Sequence, residues 1–166
     1  MSPSLNAAYG TFLFRSRRYE EARTQLEWVV ASDPGFLNAK LLLAQTYSQM
    51  GRQAEAIELA ETVSRAVGGA SYALADLGYY CARGGRIDEA RRIAADLASR
   101  FEQGRARASE AGLVFEGLGE FETVADWLER GLAAHDNGLT VLKVDPEWDP
   151  LRENSRFKSL MAKMRL

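Results

Sequence analysis

Between residues 3 and 138, apolar positions recur at helical spacing in short runs, each interrupted by a turn. Leu43, Tyr47 and Met50 share one helical face, Gly51 breaks the run, and Ala56, Ala60 and Val63 resume it. The same order returns in RRYEEARTQL, GRQAEAIELA, GGRIDEARRIA and GEFETVADWL. Ala22, Ala56 and Ala90 are 34 residues apart, as are Gly51, Gly85 and Gly119. Gly10, Ala44, Gly78 and Gly112 keep that step, and so do Leu26, Ala60, Ala94 and Leu128. The pattern predicts four helix–turn–helix copies, at 3–36, 37–70, 71–104 and 105–138. Small residues at the first and third of these sets let the two helices of a copy approach closely. A larger side chain there would overpack the contact. Ser2 and Pro3 read as a helix cap and first helical residue, and Asp33-Pro34 closes the first copy.

Residues 139–166 lose the period. LTVLKV predicts a short helix stopped by Asp145-Pro146. A turn on Asp149-Pro150 follows, then an amphipathic helix with Asn154 or Ser155 as its cap and Phe157, Leu160, Met161 and Met164 on one face. A repeat array exposes an apolar face at its last unit, so this segment is expected to cap it. Asp145, Glu147, Asp149 and Glu153 crowd this stretch, but no His or Cys accompanies them. Turn formation and helix capping are preferred to a metal or catalytic site.

Composition narrows the function. The 166 residues are 46% hydrophobic with a net charge of -2, which argues against disorder and against a general nucleic-acid binder. No apolar stretch of about 18 residues or more offers a membrane span, and no secretory leader is visible; a cytoplasmic setting is expected. Cys81 lacks a disulfide partner and reads as a buried core thiol, and His135 as a helix-end residue. No cofactor or metal is expected.

The order of residues resembles the tetratricopeptide repeat. The first copy supplies Tyr9, Gly10, Leu13, Tyr19, Ala22 and Pro34, and the second Leu43, Ala44, Tyr47, Gly51 and Ala56. The third gives Leu77, Gly78, Gly85, Ile87 and Ala90. The fourth keeps Gly112, Phe115, Gly119 and Phe121 but has Val124 in place of the usual Ala, and the family's early Trp is missing from every copy. The resemblance implies an all-α, right-handed superhelix of four hairpins plus a C-terminal capping helix. LKVDPEWDPLRENSRFKSLM is also similar to the ends of repeat regions in bacterial signalling proteins, which implies that the chain is the C-terminal part of a longer one.

The resemblance further implies a non-catalytic interaction scaffold that binds a protein segment in its concave groove. The groove positions carried over are Asn38, Gln45, Gln49, Tyr72, Asp76, Tyr79, Arg83, Glu110 and Glu116, with Tyr72, Tyr79 and Arg83 as expected anchors. The family's Lys/Asn/Arg carboxylate clamp is absent, since Ala7, Thr11 and Asp76 occupy those places. Residues 105–138 carry three Arg against seven acids, a patch that could attract a basic segment, of another chain or of another domain of the same one, or could simply neighbour the basic tail. Glu110 and Glu116 are read as a solvated face. Two alternatives stay open: a homodimer formed through Trp28 on the outer face, and a carboxylate-pair hydrolase using Glu110 or Glu116.

Overall fold

The structure is a computed structural model that describes residues 2–164. Four antiparallel hairpins stack along the chain: α1 (Pro3–Arg15) with α2 (Tyr19–Ser32), and α3 (Leu37–Gln49) with α4 (Gln53–Ala66). Then come α5 (Ser71–Arg83) with α6 (Ile87–Glu102), and α7 (Ala108–Gly117) with α8 (Phe121–Ala133). Among the described residues there is no strand. The first helix of each later hairpin also packs against the second helix of the one before. Successive first helices touch each other more than successive second helices do, so the array curves toward α1, α3, α5 and α7. The fold is all-α, with the helical hairpins that the period predicts and an architecture consistent with the superhelix that the resemblance implies.

The period is visible in the turns. The backbone N–H groups of Arg18, Arg52, Arg86 and Glu120 donate to the carbonyls of Leu13, Tyr47, Cys81 and Phe115 at 2.8–3.0 Å. That closure needs a left-handed residue just ahead of the donor, and Gly51, Gly85 and Gly119 supply it at φ 74–82°. In the first copy the same place is held by Arg17, at φ 58°. A side chain there costs the backbone energy that glycine avoids.

Close helix approach explains the small residues. A Cβ on Gly10 would stand 2.7 Å from Leu26 Cδ2, and one on Gly78 2.8 Å from Val114 Cγ2. Ala22, Ala56, Ala90 and Val124 are fully buried.

The C-terminal segment departs in detail from the expected short helix. LTVLKV lies partly in a 3₁₀ segment, Asn137–Val141, and a second one, Pro146–Leu151, carries the two Asp-Pro pairs. The Asp145 carboxylate accepts from Glu147 N at 3.1 Å and opens the second turn, as an Asp before Pro can. The final helix, α9 (Ser155–Lys163), is capped by Asn154, whose Oδ1 accepts from Arg156 N and Phe157 N at 2.9 and 3.1 Å. Phe157 and Leu160 are buried. Arg156 reaches Glu122, Asp126 and Glu129 along α8 at 2.7–3.2 Å, which seats α9 on the last hairpin. His135 lies beyond the end of α8 with φ 55°, rather than in its last turn.

Candidate partner-binding site

The concave face is partly occupied by the chain's own tail. Trp148 is buried close to Gly112 on α7, Glu147 meets the Tyr80 hydroxyl of α5 at 3.5 Å, and Arg17 in the first hairpin's turn grips Asp149. Arg17 also donates to the Val144 carbonyl at 3.2 Å. The tail therefore crosses from the fourth hairpin back to the first. The segment expected to cap the array's end also roofs its groove, a role that residue spacing could not show.

Between roof and groove lies a cavity of about 200 Å³. The repeats supply Gln45, Tyr72, Asp76, Arg107, Glu110 and Leu113 to it, and the tail supplies Val141, Asp145, Glu147 and Trp148. Four of the nine carried-over groove residues, Gln45, Tyr72, Asp76 and Glu110, thus meet at one place. The other five do not. Asn38 is exposed at the start of α3, Gln49 is half-buried with its amide 3.5 Å from the Tyr79 hydroxyl, and Arg83 is exposed over the Tyr79 ring.

Tyr79 itself is a correction. It is fully buried, edge-on to Tyr80 at 5.5 Å, and so offers no surface to a partner. The cause is Gly117 on α7: a Cβ there would stand 2.9 Å from the Tyr79 carbonyl and 3.0 Å from its ring. Without a side chain at Gly117, α7 closes over the tyrosine. Burial raises the Tyr79 hydroxyl above its ordinary pKa.

Glu110 and Glu116 are also corrections, because neither belongs to a solvated face; they are 6% and 4% exposed. Glu110 closes a capping box on α7: its Oε2 accepts from Arg107 N at 2.8 Å and its Oε1 from the Arg107 guanidinium at 2.7–2.9 Å. Glu116 lies six residues further along α7, outside the cavity, and its Oε2 has no hydrogen-bond partner among the described residues. Burial pushes its carboxyl up to about 7, against the lowering influence of Arg83.

The cavity acids share this environment. Asp76 is pushed up to about 7, first by burial and then by the neighbouring charges of Asp145 and Glu110. Burial likewise raises Glu147, with Asp145, Asp76 and Glu116 adding to it, and raises Asp145. Of the basic groups, Arg107 borders the cavity but is committed to Glu110, while Arg17 and Arg152 are held by Asp149. Carboxylates there are short of positive charge. No cluster of metal-ligating residues forms among the described residues.

Sequence reasoning passed over Arg17 and the tail's part in the site. One signal was present: Arg17 stands where the other three copies have glycine. A residue that breaks a turn rule in a regular array is expected to have other work. Trp28 is 49% exposed on α2, as the polar residues at the equivalent positions Thr62, Asp96 and Arg130 suggest.

Residues 13–77 match the family model for the tetratricopeptide repeat. No curated protein and no solved structure matches the chain. No helix among the described residues is long and apolar enough to cross a membrane.

Proposed function

We propose, from the premise that residues 13–77 of this chain belong to the tetratricopeptide repeat family, that the protein is an interaction module taking a basic segment of a partner at its roofed groove. Repeats of this family are generally protein-interaction modules. The observation that carries the finer reading is the cavity: Asp76, Asp145 and Glu147 line it without a committed cation, beside the rings of Tyr72 and Trp148. A Lys or Arg side chain would answer both features, by ion pairing with the acids and by stacking on the rings. The cavity, about 200 Å³, is smaller than the roughly 300–1,000 Å³ of small-molecule sites, which suits one inserted side chain better than a cofactor. The tail's resemblance to the ends of repeat regions in bacterial signalling proteins supports a regulatory setting for this binding.

A peptide array graded in Lys and Arg content tests this at pH 8, where Asp76 is ionised. The parent chain should retain basic peptides over neutral and acidic ones, and Asp76→Asn should lose most of that preference. Retention without charge preference, or an unchanged preference in the variant, would count against the cavity as the binding site.

A second reading, acid–base hydrolysis, draws on the placement of Asp76 in the cavity beside Asp145 and Glu147. A carboxyl near 7, as at Asp76, sits where a general base works well. That reading moves away from Glu110, whose oxygens are both bonded to Arg107, and from Glu116, which does not line the cavity. A hydrolysis screen that finds turnover in the parent and none in Asp76→Asn would favour it.

A further inference from the structure

Leu5, Tyr9 and Phe12 form a stripe along α1, and they are 56%, 47% and 59% exposed. The repeat shows what such a stripe is built to meet. Shifted by 34, Leu5, Tyr9 and Phe12 become Ala39, Leu43 and Thr46, and by 34 again Ala73, Leu77 and Tyr80; all six are at most 7% exposed. In the fourth hairpin Ala111 and Val114 continue the last two rows, fully buried. These positions pack on the hairpin before: Ala39 clusters with Val29 of α2, and Val114 lies over Gly78 of α5. The α1 stripe is thus the inter-hairpin seam of this array, continued onto an exposed face of the described residues. Arrays whose terminal units stand in water carry polar outer faces. This one does not.

We propose that the α1 face is a dimer interface occupied by a second copy of this chain, α1 against α1 across a two-fold axis. Charge favours that occupant. In a two-fold contact each position meets its own neighbourhood, so a charged face repels itself. α1 itself carries no charged residue before Arg15, and the charges that border the stripe are of both signs, Glu20, Glu21 and Arg23 beside Tyr9 and Arg15, Arg17 and Lys143 beside Phe12. Tyr9 and Phe12 stack on each other at 6.3 Å, which presents a flat aromatic surface. The far end of the array cannot serve as the partner surface, because α9 already covers α8 there through Arg156, Phe157 and Leu160. Head-to-tail stacking into filaments is therefore blocked, and association closes at two chains. On α2, Glu20, Glu21, Arg23 and Thr24 share a hollow with Tyr9, and Trp28 lies one turn beyond Thr24.

Multi-angle light scattering on the full chain tests the proposal, with Phe12→Glu and Leu5→Glu as separate variants and Glu58→Lys as a distant control. Circular dichroism checks that each variant keeps its helix content; both substitutions fall on exposed positions. The expected result is twice the chain mass for the parent and the control, and a single-chain mass for either folded α1 variant. A parent that stays at single-chain mass up to its solubility limit would overturn the proposal. So would folded α1 variants that remain dimeric.

Discussion

Arg17 and Asp149, 132 positions apart, form a two-pronged ion pair with Nη2 at 2.8 and 3.0 Å from the carboxylate oxygens. Arg17 holds the tail over the groove while sitting in a left-handed conformation that glycine fills in the other copies. The two roles oppose each other in energy. Arg17→Ala removes the pair and keeps a side chain at positive φ, so it should destabilise by about 0.5–1 kcal/mol, in the range of a partly exposed pair. Arg17→Gly loses the same pair but relieves left-handed strain of about 1–2 kcal/mol, offset in part by glycine's greater chain entropy, and should come out near neutral. Urea unfolding of both variants separates the two contributions.

Helix approach makes a second contrast. Gly10→Ala drives a Cβ to within 2.7 Å of Leu26 and should cost about 1–3 kcal/mol. At Gly112 the nearest atom would be 3.5 Å away, on Trp127, an ordinary contact. Gly112→Ala should therefore be tolerated, and could gain up to about 1 kcal/mol from helix propensity. Thermal melts of the pair decide it; equal losses at both sites would refute the packing account.

The fold was legible because a period of 34 repeats the same packing problem four times, so each copy checks the others at Ala22, Ala56 and Ala90. The site was legible only in part. Tyr72 and Asp76 could be placed on the groove because the family resemblance carries its groove positions onto the 34-residue register. Tyr79 could not, since its burial depends on a missing side chain at Gly117, on a different helix. The roof was hidden for a similar reason. Asp145 and Glu147 show their local turn chemistry in sequence, but nothing local says that a segment after α8 folds back as far as Arg17.

Buried acids predict an unusual pH response. Glu116 is held at about 7 in the folded chain, so the folded state keeps a proton that the unfolded chain gives up near 4.5. Its contribution to stability is full below about pH 4.5 and is lost as pH rises through about 7. Glu116→Gln should leave the melting temperature unchanged at pH 4.5 and raise it at pH 8, by the equivalent of up to about 3 kcal/mol. A variant that is destabilised at pH 8 would show that the carboxylate has an ionic partner there.

Trp148 anchors the roof at 4% exposure. Trp148→Ala should cost about 3–5 kcal/mol and open the cavity, which chemical denaturation and loss of basic-peptide binding would report together. Unchanged binding in a folded Trp148→Ala chain would remove the tail from the site.

The most direct test of the roofed groove as the partner surface is an amide NMR titration of the parent chain with a basic peptide retained on the array. The account predicts shifts concentrated at Tyr72, Asp76, Asp145, Glu147 and Trp148, with the α4 and α6 surfaces unmoved. Shifts confined to the outer helices, with those five residues silent, would contradict it.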